Sequence, residues 1–193
     1  MAPPPRRAEF VAGAARLDRL PPASLPEIAF AGRSNVGKSA LLNRLLNRRG
    51  LARVSKTPGR TQQINFFAID QRLLLVDLPG YGFARVPLAV KAQWRGLIEG
   101  YLTGRPTLRA VVVLVDVRRG IEDDDARLLD FLAAHRIPTL LVATKSDKLS
   151  RDARRRRLTE IAQQRPGVVP MAFSSTSGEG AAELWSALNA LAR

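Results

Sequence analysis

A chain of 193 residues, 46% apolar and 25% charged, is long enough for one domain with its own core and short for two. It contains no cysteine, which excludes disulfides, thiolate metal sites and thiol nucleophiles and is compatible with a reducing cytoplasm. Lys and Arg number 31 against 17 Asp and Glu, a net charge of +14 that favours a polyanionic partner, nucleic acid or an anionic membrane surface, with a general arginine bias as the competing source.

The opening "MAPPPRRAEF" has prolines and arginines but no apolar h-region, so it does not read as a secretory signal and is expected to be a short flexible tail. No run approaches the ~20 apolar residues of a membrane span, and no stable membrane association is expected. Residues 1–24 are read as tail and lead-in, and residues 25–193 as one domain. Strands are predicted at 27–31, 64–69, 73–77, 110–115, 139–143 and 168–173. Within them "IAFA", "LLLVD", "VVVLVD" and "LLVAT" are nearly continuous apolar runs, as strands buried on both faces require. Helices are predicted from 38 to about 48, from about 88 to 102, and at 123–135, 152–163 and 180–191. The last carries Leu184, Trp185 and Leu188 at helical spacing, which sends Trp185 to the core. This alternation predicts an α/β fold, a six-stranded, mostly parallel sheet flanked by about five helices. Two long irregular segments, 48–63 and 78–88, are rich in Gly, Pro and hydrogen-bonding side chains, the usual place for function in a compact domain.

Between the first apolar strand and the first helix stands "GRSNVGKS", a match to G-x-x-x-x-G-K-[ST] in the order strand, loop, helix. Its glycines let the backbone turn tightly enough to aim successive N–H groups at phosphate oxygens, and the helix N-terminus adds donors and the positive end of its dipole. Lys38 can then reach the β- and γ-phosphates, and the Ser39 hydroxyl can bind Mg²⁺. The fold expected is therefore the three-layer sandwich of a phosphate-loop NTPase. Further along, Asp77 closes the buried run "LLLVD", where an unpaired carboxylate is costly. Facing the loop it can organise the metal through water, while Gly80 of "DLPG" offers a backbone N–H to the γ-phosphate. In "LLVATKSDKLS", Asp147 can accept both N1–H and the exocyclic amine of guanine, a donor pair adenine lacks. The Lys145 stem can lie across the purine. Ser174 and Ser175 in "FSSTSGEG" can close over the guanine O6 edge with backbone N–H groups.

Together "GRSNVGKSALLNRLL", "TPGRTQQINFF", "DLPGYGFA" and "TKSD" resemble the translation-factor class of phosphate-loop GTPases, and most closely the EngB family of bacterial ribosome-biogenesis GTPases, over nearly the whole chain. The resemblance implies Mg²⁺-dependent hydrolysis of GTP to GDP, a role in assembling the large ribosomal subunit, and a link to normal septation in cell division. By residue it implies phosphate binding by Gly32, Arg33, Ser34, Asn35, Val36, Gly37, Lys38 and Ser39. It implies a first switch at Gly59, Arg60, Thr61, Gln62 and Gln63, and a second at Asp77, Leu78, Pro79 and Gly80. Guanine would be read by Thr144, Lys145, Ser146 and Asp147, and the base pocket completed by Phe173, Ser174 and Ser175. Lys38, Thr61 and Gly80 would act on the γ-phosphate, with Ser39 and Thr61 as metal ligands. Thr57 is the local competitor of Thr61 for the metal.

Two positions depart from the Ras-like pattern. Thr144 stands where Asn is usual and makes fewer hydrogen bonds than an amide. Tyr81 follows "DLPG" in place of a Gln, so nothing there holds the attacking water and unaided hydrolysis is expected to be slow. A K⁺ ion held by Asn35 is one candidate activator, Asn35 as a plain turn residue being the alternative. A ribosomal partner is another. The basic run "RDARRRRL" from Arg151, with Arg105, Arg109, Arg118 and Arg119, is expected to meet rRNA phosphates or else to form a solvated face. Glu122 to Asp125, "EDDD", suits a helix N-terminus, and the single His135 is expected to be structural. The overall expectation is a monomeric cytoplasmic GTPase. Its rivals are a GTP-gated rRNA or protein placeholder in which hydrolysis is incidental, a membrane-associated signalling GTPase, and an ATPase.

Overall fold

The apolar runs become the centre of one seven-stranded sheet in the order β1-β3-β4-β2-β5-β6-β7. The computed structural model describes residues 7–48, 50–52, 63–82 and 88–193, with side chains in the last stretch from residue 95. β1 (Ala8–Ala14), β2 (Glu27–Gly32), β3 (Ile64–Ile69), β4 (Leu73–Asp77), β5 (Leu108–Asp116), β6 (Thr139–Thr144) and β7 (Met171–Ala172) alternate with five helices. These are α1 (Lys38–Leu45), α2 (Leu88–Gly104), α3 (Asp123–Ala134), α4 (Arg151–Gln164) and α5 (Ala181–Leu191). β2 pairs parallel with β4 and β5, β5 with β6, and β6 with β7, whereas β3 runs antiparallel to both β4 and β1.

Six strands were expected and seven are present. The extra one is β1, inside the lead-in read as tail: residues 8–14 are hydrogen-bonded along the free edge of β3. A register shift between Phe10 and Ala12 breaks the two-residue alternation that marks a strand in sequence. Phe10 and Val11 stay half exposed, so the segment buries little of its apolar surface. At the opposite edge β7 has two residues and not the six expected; Pro170 cannot donate to the ladder and Val169 faces solvent.

Helices cover both faces. On one, Leu97, Tyr101 and Leu102 of α2, Leu129 and Leu132 of α3 and Ile161 of α4 pack on alternate residues of the central strands. On the other, Leu41, Leu42 and Leu45 of α1 meet Leu184, Trp185 and Leu188 of α5. Trp185 is in the core as expected, and its indole N–H donates to the Leu45 carbonyl at 3.0 Å, satisfying an acceptor at the end of α1. One buried carboxylate sits at the far end of the sheet. Glu27 accepts from Tyr101, Arg105 and Thr107 at 2.6–2.8 Å. Arg105, expected among the polyanion-binding residues, is thereby buried and engaged, a correction to that reading. The C-terminal ends of β2, β4, β5 and β6 all open at the same edge, where the motif residues gather.

Candidate functional site

β2 ends at Gly32, where a Cβ would stand 2.9 Å from Val36 Cγ1 and 3.1 Å from the Leu114 backbone, so only glycine fits the crossing. The chain then turns through Asn35 at φ 62° and Gly37 at φ 105°, left-handed values that glycine and, less often, asparagine adopt at small cost. Gly37 occupies the N-cap of α1 without a side-chain cap, which leaves the first-turn amides of Lys38 and Ser39 outside the helix's own ladder. That is the donor array the motif predicts. The Ser34 N–H donates to the Tyr81 carbonyl at 2.8 Å, tying the loop to the segment after β4.

Asp77 is nine-tenths or more buried at the end of β4, and the Lys38 ammonium donates to it. The pair answers the cost of burying either charge alone and brings the first turn of α1 against the end of β4. Ser39, next in that turn, and Asp77 supply the hard oxygen donors Mg²⁺ accepts, and Mg²⁺ ordinarily keeps waters and phosphate oxygens for the rest of its octahedron. Among the described residues no group of three or more His, Cys, Asp or Glu could hold a metal by itself. Thr57, Gly59, Arg60, Thr61 and Gln62 lie outside the described residues. The Gln63 amide donates to Asn65 at 3.0 Å and packs over Gly13, on the β1 side of the sheet. Leu78 and Pro79 are buried, with the Leu78 N–H on the Phe30 carbonyl at 3.0 Å, so they hold Gly80 beside the loop.

Tyr81 does not face the phosphate side. Its hydroxyl donates to Asp125 at 2.8 Å, and burial together with that carboxylate pushes the phenol pKa well above its ordinary value. Asp125 also accepts the Glu122 N–H at 3.0 Å in a capping box that starts α3, as "EDDD" suggests. Burial pushes the Asp125 carboxyl up to about 6, against the opposing pull of Tyr81 and Arg33. Glu122 in turn is ion-paired with Arg33 of the phosphate loop.

At the base-reading end the geometry revises one role. Thr144, expected to face guanine, is buried and its hydroxyl lies 2.6 Å from the Val36 carbonyl and 3.0 Å from that of Val115. It ties the phosphate loop to β5 and β6. Lys145 adopts φ 60°, and its ammonium donates to the Asn35 carbonyl at 2.8 Å and pairs with Asp116 at 3.0 Å. Ser174 donates to Asp147 at 2.7 Å, which holds that carboxyl below its ordinary pKa with help from Lys148. The second Asp147 oxygen stands 3.4 Å from Lys148. Phe173 is in the core, and its carbonyl receives the Ser146 N–H at 3.1 Å. Ser146 donates to Glu179 at 2.9 Å, as does Arg154 at 2.6 Å. Ser175 lies half-buried on the same loop.

Asp116 is therefore a site residue outside every motif, and Asp125 and Glu179 are site residues inside "EDDD" and "FSSTSGEG" to which those stretches gave no role in the site. The one sequence signal for Asp116 was an acidic residue closing an apolar strand, the signal that marked Asp77. His135 is at the C-terminus of α3, its ring stacked on Phe131 at 4.2 Å and hydrogen-bonded to the Phe131 carbonyl.

Comparison with known proteins gives the same picture. A family model described as "50S ribosome-binding GTPase" matches residues 27–145. A Geobacter metallireducens protein named "Probable GTP-binding protein EngB" is 50% identical over 187 residues, 95% of this chain and 91% of that protein. One of the same name from Syntrophus aciditrophicus is 53% identical over 173 residues, 89% and 88% of the two lengths. Among solved structures, a probable GTP-binding protein EngB superposes with a TM-score of 0.72 at 26% identity, over 86% of this chain and 98% of that one. Era in complex with MgGDPNP and nucleotides 1506–1542 of 16S ribosomal RNA shares the fold at a TM-score of 0.67 and 21% identity, over 85% of this chain and 55% of that one.

Proposed function

The chain belongs to the EngB family of GTP-binding proteins and is a GTPase, and from that membership we propose that it is a Mg²⁺-dependent nucleotide switch in the assembly of the bacterial large ribosomal subunit. The observation that carries the proposal is the meeting, at one sheet edge, of the Lys38–Asp77 pair with Asp147 held by Ser174. One end handles phosphate and the other guanine.

Catalysis here is mostly positioning and charge stabilisation. Lys38 and the amides of the phosphate loop balance charge on the β- and γ-phosphates, and Gly80 offers its N–H to the γ-phosphate. Mg²⁺, when bound by Ser39 and by Thr61, supplies Lewis-acid neutralisation of that charge. Asp77 orients the metal's water shell, and Asp147 selects guanine over adenine. With the Tyr81 hydroxyl committed to Asp125, this chain has no side chain at that position to hold the attacking water, so turnover by the isolated protein is slow. K⁺ beside Asn35, or a group from the ribosomal particle, completes the site.

The match to a family of 50S ribosome-binding GTPases and the net charge of +14 both support a ribosomal partner. We place the working form in the cytoplasm as a monomer, and attribute any septation defect on its loss to the same role. Among the described residues no helix is long and apolar enough to cross a membrane.

Co-sedimentation with mature and immature large subunits in GTP or GDP, with hydrolysis followed in KCl and in NaCl at equal ionic strength, tests this function. The GTP form is expected to pellet with immature particles and the GDP form to stay in solution. Equal pelleting in both nucleotides removes the switch. Calorimetric heats for GTP and GDP no larger than for buffer remove the whole reading.

A further inference from the structure

Asp116 closes β5 beside the phosphate loop, 7% exposed, and no motif assigns it a role. Its four acceptor positions are all taken. Oδ1 receives the Arg118 backbone N–H at 3.0 Å and Arg118 Nε at 2.9 Å. Oδ2 receives Arg118 Nη2 at 2.6 Å and the Lys145 ammonium at 3.0 Å. Burial pushes the carboxyl pKa up, but the Arg118 and Lys145 bonds outweigh it and hold the group well below the usual carboxylate range. Those bonds favour its ionised form. A carboxylate with about four lone-pair sites so occupied has none left for a purine. Whatever it does for the nucleotide passes through Lys145.

Lys145 is held at both ends. Its backbone is left-handed, φ 60°, a conformation a side-chain-bearing residue keeps only where its surroundings over-determine it. Its ammonium is gripped between the Asn35 carbonyl at 2.8 Å and Asp116. The stem between runs past Gly37, its Cε 3.9 Å from where a glycine Cβ would stand. A long, flexible side chain already stretched between fixed ends gives up little freedom when a base stacks on it.

We infer that Asp116, fixed by the Arg118 fork, is a positioning residue that preorders the Lys145 stem as a wall of the purine site, and so sets how long a guanine nucleotide stays bound without reading its base. The inference rests on the guanine-nucleotide reading above and adds to it a division of labour: Asp147 chooses the base, and Asp116 retains whichever purine has been chosen.

The test is the release rate of fluorescent GDP and fluorescent IDP from the full chain. IDP lacks the 2-amino group that Asp147 accepts. Asp116→Asn is expected to speed release of both, roughly five- to tenfold and by the same factor, with association unchanged. Arg118→Ala, a half-exposed residue whose loss spares the core, is expected to give roughly threefold, and Arg118→Lys to recover part of that. If Asp116→Asn fails to fold, the two Arg118 variants decide. Release at the wild-type rate from the folded variants overturns the inference, and so do unequal effects on GDP and IDP, which would make the group a base reader. A wild-type chain that binds neither nucleotide overturns the function reading as well, so the two failures are distinguishable.

Discussion

At the residue scale, Asp125 and Thr144 each do something a motif scan assigns to other groups. Asp125 titrates at 3.8 as a free carboxyl and is pushed up to about 6 in the folded protein. Between those values the folded state binds more protons, so this group's contribution to stability is complete below about pH 4 and is lost as pH rises through about 6. Two pH units correspond to about 3 kcal/mol, an upper figure for the loss. Denaturant unfolding from pH 4 to 7.5 is expected to show wild type losing stability relative to Asp125→Asn by one to a few kcal/mol (about 3 at most). A constant gap across that range rejects the assignment. Thr144 gives a second expectation. Thr144→Val keeps the shape but leaves the Val36 carbonyl without its donor, a loss of about 1–3 kcal/mol when the acceptor is buried. GTP and GDP affinities should fall together by about tenfold or more, and Thr144→Ser should restore them, measured by nucleotide titration. A change in GTP but not GDP would place the hydroxyl at the γ-phosphate instead.

At the element scale, α1 is a lever with the phosphate loop at one end and Trp185 at the other. Its eight residues span about 12 Å. Trp185→Phe removes the donor to the Leu45 carbonyl and part of a core side chain, and is expected to cost about 2–3 kcal/mol in thermal or denaturant unfolding. Because the damage is a full helix length from Lys38, GDP affinity should change less than about threefold, since well-separated sites behave additively. Loss of binding with stability intact would mean that α1 is not rigid. The elements differ in how far the sequence revealed them, for identifiable reasons. β2, β4, β5 and β6 were legible because strands buried on both faces must be continuous apolar runs. β1 was not, because its register shift destroys the period-two pattern and half its apolar residues face water. The site divides the same way. Lys38 and Asp147 were legible because phosphate and guanine chemistry fixes residue types at short spacing. Asp116 and Asp125 were not, because the groups they serve, Lys145 and Tyr81, are brought to them only by sheet order and helix packing, 29 and 44 positions away.

At the scale of the whole molecule, the net charge of +14 must be sorted into charges already engaged and charges left for a partner. Arg105 is buried on Glu27, while Arg118 is paired with Asp116, Arg154 with Glu179, and Arg157 with Glu160 and two backbone carbonyls. Each of these is already held by a partner inside the protein, which lowers what it has left for a phosphate. On α4 that leaves Arg151, Arg155 and Arg156, exposed and outside every ion pair found among the described residues, the first two one helical turn apart. If rRNA is the partner, replacing all three by Ala should lower the slope of log affinity against log salt by about 2, since each neutralised phosphate releases close to one counterion. Stability should stay within about 0.5 kcal/mol and hydrolysis by the free protein should not change, because these side chains are exposed and make none of the bonds that build the site. The measurement is large-subunit co-sedimentation across a KCl series. An unchanged slope in the triple variant would move the docking surface off α4 altogether, to the cations at the other end of the sheet such as Arg109 and Arg136. In that case the nucleotide edge, on the far side of the sheet from them, would sense the particle only through the strands that connect the two.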